Sequence, residues 1–327
     1  MPQVRLQVVK PPTVISTFAG CGGSSLGYKL AGYKELLAVE WDDHAVQTFK
    51  ANFPGVPVYH GDIGELGLDK CLEAAGVKPG ELDVFDGSPP CQGFSTSGKR
   101  KMSDPRNSLF AEFCRLLEGL KPRVFVMENV TGMVKGHMKQ VFLDIMKALR
   151  GCGYNCKAQV MNAQWYGVPQ SRQRVIIIGT RKDLGKLPGH PRPKTKPINA
   201  GKAIEGLPLD DLHMLTPLGE KWWRLCLPGK SFSSIHPKGH WFNQQKAHPF
   251  RPFPTICKSV FDGAGVAHWE RPGQLSVAML KRAASFPDDF KLSGKFQEQW
   301  ARVGNSVPPK LMEAVARHIK KTILICE

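Results

Sequence analysis

The chain has 327 residues, of which 42% are hydrophobic, 22% charged and 9% aromatic. That composition excludes collagen-like, low-complexity and disulfide-scaffold proteins, and the length suits two domains or one domain with an insertion, either able to bury a sizeable core. Lys and Arg number 45 against 28 Asp and Glu, a net charge of +17, which favours a polyanionic partner through phosphate neutralisation and counterion release over small acidic ligands.

No run approaches the 18 consecutive apolar residues of a membrane span. The first residues, MPQVRLQVVKPP, break at Lys10 where a signal peptide needs its apolar stretch. Nine cysteines without an export signal read as reduced thiols in a cytoplasmic compartment, and their odd count opposes a disulfide framework. Cys152 and Cys156 lack a second pair, and His236, His240 and His248 fall in a Pro-rich stretch, so no metal site is expected.

In chain order, residues 14–18, 36–40, 56–60, 82–86, 124–128 and 175–179 form continuous apolar runs. Helical stretches fall between them at 23–32, 42–52, 106–120 and 137–150, and 154–163 is a further strand candidate. This is the pattern of β-α-β units around a parallel sheet with helices on both faces. From 181 to 272 the texture changes: 12 of the 26 prolines and four of the seven tryptophans lie there, and basic residues outnumber acidic ones by 15 to 7. Trp222, Trp223, Trp241 and Trp269 are costly to leave wet, so a packed, loop-rich domain is expected over a linker. Helical periodicity returns at 276–286 and at 309–325, the latter opened by Pro308 and Pro309. The expected division is 1–180, an inserted domain at 181–272, and a return to the first domain at 273–327.

Phe18, Ala19, Gly20, Cys21, Gly22 and Gly23 follow the first strand and open the first helix, where glycines let a ligand approach the helix N-terminus. The second strand ends in Glu40, able to accept from a ribose diol, with Trp41 beside it to stack on a purine. Asp62 and Ile63 close the third. Three such carboxyl ends together indicate an adenosyl cofactor, and residues 20–25, GCGGSS, exclude the dinucleotide G-x-G-x-x-G fingerprint. The fourth strand delivers Pro89 and Pro90 stiffening the approach to Cys91, a presentation suited to a nucleophile. The fifth ends in Glu128, whose desolvation would raise its pKa and suit it to proton donation. Arg172 and Arg174 enter the next strand two residues apart, and two arginines on a buried side need an anion or a carbonyl to bind.

The order FAGCGG, VEWD, GDI, GSPPCQGFS, MENV, QSRQR and GNSVPP resembles that of the cytosine-C5 DNA methyltransferases of the single-chain bacterial or phage type, over residues 14–319. The resemblance implies a Rossmann-like S-adenosylmethionine-dependent methyltransferase fold with a small inserted target-recognition domain. Cys91 would be the nucleophile attacking cytosine C6, Glu128 would engage and protonate N3, and Arg174 with Arg172 would hold O2 and the active-site loop. Phe18, Ala19, Gly20, Gly22, Gly23, Glu40, Trp41, Asp62, Ile63, Pro90, Leu109, Asn305 and Ser306 would bind S-adenosylmethionine and release S-adenosylhomocysteine. Gln92, Ser95, Ser97, Lys99, Arg100 and Lys101 on the active-site loop, and Thr255 in the inserted domain, would meet double-stranded DNA. The target base would be flipped from the duplex. The implied protein is a cytoplasmic monomer, with no membrane partner, in restriction–modification or phage self-protection; a cognate restriction endonuclease is not required for activity.

One motif departs: LSVAMLKRAASFPDDF carries Ala278, Met279 and Ala284 where the family keeps an Arg-Glu pair and a Gln. Three alternatives stand beside this reading. An exocyclic amino-methyltransferase would place an aromatic residue after the prolines, a tRNA methyltransferase of this architecture a Cys-Phe-Thr signature. A DNA-binding paralogue without catalysis would have lost the nucleophile, glutamate or glycine motif.

Overall fold

The computed structural model describes residues 10–90, 105–239, 243–261 and 263–325. From the N-terminus come β1 (Thr13–Thr17), α1 (Gly23–Leu30), β2 (Lys34–Glu40), α2 (Asp43–Asn52), β3 (Val58–His60), α3 (Leu68–Ala75) and β4 (Val84–Gly87). They are followed by α4 (Pro105–Leu120), β5 (Val124–Val130), α5 (Lys139–Gly151), β6 (Tyr154–Asn162) and β7 (Gln173–Arg181). The seven strands form one sheet in the order β3-β2-β1-β4-β5-β7-β6.

The apolar runs alternate sides residue by residue. Phe85, Phe125, Met127 and Ile177 pack under the α3–α5 layer with Phe113, Leu116 and Leu117. Val84, Val124, Val126, Ile176 and Ile178 face the opposite layer with Tyr28, Leu311 and Val315. Both faces are therefore dry, which is why these strands show no polar alternation.

The five strands β1 to β5 pair in parallel. The strand at 175–179, expected to continue that pattern, instead runs antiparallel to β5, and β6 runs antiparallel to it. The connection from Asn162 to Gln173 is too short for the crossover of a dozen or more residues that a parallel neighbour needs.

The later chain forms α6 (Ala200–Ala203), β8 (His213–Met214), α7 (Pro217–Leu225), β9 (Asn243–Lys246), β10 (Ala264–Ala267), β11 (Gly273–Gln274), α8 (Val277–Ala283), α9 (Phe296–Asn305) and α10 (Pro309–Ile319). A π turn, Lys320–Leu324, extends α10. The strands β8-β11-β10-β9 make a second sheet, so the division expected after residue 272 passes between two of its strands. Ile204, Leu212, Phe253, Ile256 and Val266 share a core with Leu280, Phe286, Trp300 and Val303, and with Phe49 and Phe53 of α2. Trp223 is buried in a separate small cluster with Cys226, Phe232 and Ala267, its indole N–H donating to the His268 carbonyl at 2.7 Å. α3 and α9 lie outside the helical stretches expected from the sequence.

α10 returns to the first layer and packs on α1. A Cβ at Gly27 would lie 2.6 Å from Cβ of Met312, so the helices can approach this closely only with glycine there.

Candidate functional site at the carboxyl edge of the sheet

The chain runs outward from β1 to β3 on one side and from β4 to β5 on the other, so the strand order reverses between β1 and β4. Such a reversal opens a crevice at the carboxyl ends of the strands. The glycine turn after β1 and the Pro89–Pro90 segment after β4 flank it.

The glycine turn is held in a left-handed course, with φ of 54° at Phe18, 56° at Gly20 and 90° at Gly22. Phe18 is a non-glycine residue in that region, a strained conformation that its packing against the core must hold. Two glycines are fixed by contact. A Cβ at Gly22 would sit 2.4 Å from the Phe53 ring, and one at Gly23 2.3 Å from the Val307 carbonyl oxygen. A Cβ at Gly20 would meet nothing within 4 Å, so this part of the turn borders open space. Ala19 is buried. The Cys21 thiol, pushed up to about 12 chiefly by burial, is no competing nucleophile.

Glu40 ends β2 at 7% exposure. Its Oε2 accepts the Gly20 amide at 2.7 Å, and its Oε1 accepts the amides of Trp41 and Asp42, both at 3.0 Å. A carboxylate offers about four acceptor positions, so Oε2 keeps room for about one further donor. Trp41 projects beside it, 74% exposed. Asp62 is engaged locally: its Oδ1 accepts the Gly64 amide at 2.8 Å and caps a single 3-10 turn that begins at buried Ile63. Leu109 is half-buried on α4.

Pro89 is buried and Pro90 exposed. Cys91, Gln92, Ser95, Ser97, Lys99, Arg100 and Lys101 lie outside the described residues. Asn129, which sequence reasoning did not single out, braces the approach to Cys91. Its amide Nδ2 donates to the Pro89 carbonyl at 3.0 Å, and its Oδ1 accepts the Val130 amide at 2.9 Å. Its place in the MENV motif was the available signal.

Glu128, 9% exposed, is paired through Oε1 with Arg174 Nε at 2.8 Å. Burial raises the Glu128 carboxyl above its ordinary value, against the opposing charges of Arg174 and Arg172. The antiparallel register explains the pairing, since it sets Val130 of β5 opposite Arg174 and brings that arginine alongside the end of the strand.

Arg172 is used differently. Its guanidinium donates to the carbonyls of Ile256 and Gly304, both at 2.8 Å, and it is 2% exposed. Burial and the neighbouring Arg174 lower its pKa to about 9. One arginine thus holds an anion and the other two carbonyls, and Arg172 ties the inserted region to the α9 end. Thr255 strengthens the same seam, its hydroxyl donating to the Ser171 carbonyl at 2.8 Å. At the end of α9, Asn305 is exposed, while Ser306 is buried with its hydroxyl on the Val303 carbonyl at 2.8 Å.

The chain matches the family described as C-5 cytosine-specific DNA methylase over residues 12–321. It is 35% identical to the type II methyltransferase M1.HphI of Haemophilus parahaemolyticus, over 94% of this chain and 87% of that one. Identity to the type II methyltransferase M.NgoFVII of Neisseria gonorrhoeae is 31%, over 94% and 86%. Among solved structures, a prophage-encoded E. coli protein classed as a DNA modification methyltransferase superposes with a TM-score of 0.75 at 24% identity, covering 96% of this chain and 100% of that one. The S. pombe Dnmt2 methyltransferase gives 0.70 at 17%, covering 95% and 99%. These two likenesses show the fold, an α/β methyltransferase fold with a mixed sheet.

Proposed function

The chain belongs to the C-5 cytosine-specific DNA methylase family, and from that premise we propose that it methylates C5 of a cytosine flipped out of double-stranded DNA within one short sequence, as a type II modification enzyme. The observation that carries this reading is the pairing of buried Glu128 with Arg174 beside the Asn129-braced lead to residue 91. A buried carboxyl with a raised pKa, a cation and the braced Pro89 carbonyl meet at one sheet edge.

Methyl-donor binding falls to the other flank. The open face at Gly20, the remaining acceptor position of Glu40, the exposed Trp41 ring and Asn305 fit an adenosyl group with its ribose. S-adenosylmethionine, when bound there, supplies an electrophilic methyl group and leaves as S-adenosylhomocysteine.

The chain's own residues make C5 reactive. The Cys91 thiolate adds to C6, while Glu128 delivers a proton to N3 and so relieves the charge that addition places on the ring. Arg174 holds Glu128 in place and reaches the base O2. Once the methyl is in place, a water takes the C5 proton, the Cys91 thiolate leaves by β-elimination, and N3 returns its proton to Glu128. Arg172 acts as a positioning residue through Ile256 and Gly304. Gln92, Ser95, Ser97, Lys99, Arg100, Lys101 and Thr255 serve the DNA side, where basic groups neutralise phosphates. The enzyme works as a monomer in the cytoplasm and needs no nuclease partner for activity.

The test is base-resolution conversion sequencing of DNA from a methylation-free host expressing the protein. Protected cytosines in one short motif are expected, and none in a Cys91→Ser strain whose protein still binds donor and DNA. Substantial protection surviving in that strain would remove Cys91 from the mechanism.

A further inference from the structure

The end of α9 reaches both flanks of the crevice, at several separate points. The Arg302 carbonyl accepts the Cys21 thiol of the glycine turn at 3.5 Å. The Gly304 carbonyl accepts Arg172 at 2.8 Å, and the Val307 carbonyl presses against Gly23. The fourth point is an ion pair across 260 positions of sequence: Arg302 donates to Oδ1 of Asp42.

Asp42 is no ordinary surface carboxylate. Its Oδ1 also accepts the Ala45 amide at 2.9 Å and so caps α2, while its own amide donates to Glu40 Oε1 at 3.0 Å. The Arg302 side chain is 9% exposed and that of Asp42 33%. The Arg302 Nε is buried without a hydrogen-bond partner. Burying a guanidinium with one nitrogen unsatisfied is costly, and an apolar side chain would fill the same space without that cost. The buried charge is directed at Asp42, with which it pairs.

We infer that Arg302 is a positioning residue of the methyl-donor pocket: its ion pair with Asp42 fixes the Glu40–Trp41 wall at a set distance from the Asn305–Ser306 wall. This rests on the donor-binding reading above. A residue that merely glued α9 to α2 would affect stability alike with or without donor, whereas a clamp between the two walls acts on donor affinity.

The experiment measures binding of S-adenosylmethionine and S-adenosylhomocysteine by calorimetry, alongside steady-state kinetics on DNA. Arg302→Met keeps the length and the apolar stem and removes the charge. Asp42→Asn keeps the helix cap and removes the partner charge. Each is expected to weaken both ligands about tenfold, raising the donor KM while kcat at saturating donor changes less than about twofold. The double variant should lose no more than either single, because both remove one interaction. Arg302→Lys should recover most of the affinity, and with Asp42→Asn it carries the test if Arg302→Met does not fold. Wild-type affinity in either single variant, or losses that multiply in the double, would overturn the clamp. A wild-type protein that bound neither ligand would overturn the donor-binding reading and the clamp with it.

Discussion

Two glutamates leave the same sheet edge from strands on opposite sides of the crevice, and the chain surrounds them differently. At the end of β2, Glu40 receives three backbone amides, from Gly20, Trp41 and Asp42. At the end of β5, Glu128 is equally buried but is held by the Arg174 side chain, and burial dominates its proton affinity. Amides in a rigid turn cannot move away or titrate, so they make a carboxylate into a fixed acceptor. A dry site with a side-chain cation leaves a carboxyl whose proton can be exchanged. In the proposed mechanism one residue type thus yields a binding group and a proton-transfer group, separated by their surroundings.

The sharpest way to break this comparison is to make the same substitution twice. Glu128→Gln should lower kcat by roughly 10²- to 10⁴-fold, the usual worth of a general acid, and leave donor affinity near wild type. Glu40→Gln should do the reverse, raising the donor KM by roughly ten- to a hundredfold, since hydrogen bonds to a charged acceptor are lost, while kcat at saturation survives. Steady-state kinetics in both substrates reads the split. If both variants lost mainly kcat, or both mainly donor affinity, the division of labour would be wrong.

Arg174 offers a second, smaller test. Arg174→Ala should cut turnover by about 10²-fold, and the residual activity carries a sign. In the proposed mechanism Glu128 acts while protonated, so activity should fall as pH rises through its raised pKa. Arg174 pulls that pKa down. Its removal should therefore move the alkaline limb of the kcat profile to higher pH. A limb that stayed in place would show that some other group titrates there.

Much of this edge was legible because turns have local chemical requirements. The glycine turn, Glu40, the two prolines and Glu128 each sit at a strand end, where a ligand-facing conformation restricts residue type within a few positions. What was not legible depends on contacts between distant parts of the chain. Nothing near Arg172 in sequence announces carbonyls of residues 256 and 304. The reversed direction of β7 lay hidden because an apolar strand buried on both faces reads the same either way. The three amides on Glu40 were missed for a different reason: backbone donors have no letter in the sequence. In the 181–272 region Trp222, Trp223 and Trp269 announced packing, but its larger core is shared with α2, α8 and α9, partners that composition cannot name.

A third carboxylate, Asp86 on β4, sits between the two flanks and tests whether burial alone behaves as argued for Glu128. It is 4% exposed and accepts the Tyr28 hydroxyl at 3.1 Å. Burial pushes its carboxyl up to about 8, against the hydrogen bonds from Tyr28 and Ser24, and Glu35 nearby is pushed up to about 7 by burial. Unfolded, both titrate near 4. Between those values the folded chain holds protons the unfolded chain has lost, so stability falls as pH rises, by at most about 1.4 kcal/mol per pH unit for each group. The melting temperature should therefore climb as pH is lowered from about 8 to about 5. Asp86→Asn keeps an acceptor for Tyr28 and removes one titration, so its melting curve against pH should be flatter, with the largest gain over wild type at the alkaline end. An unchanged slope would mean that Asp86 is charged when folded, and burial could then no longer be used as the reason that Glu128 holds its proton.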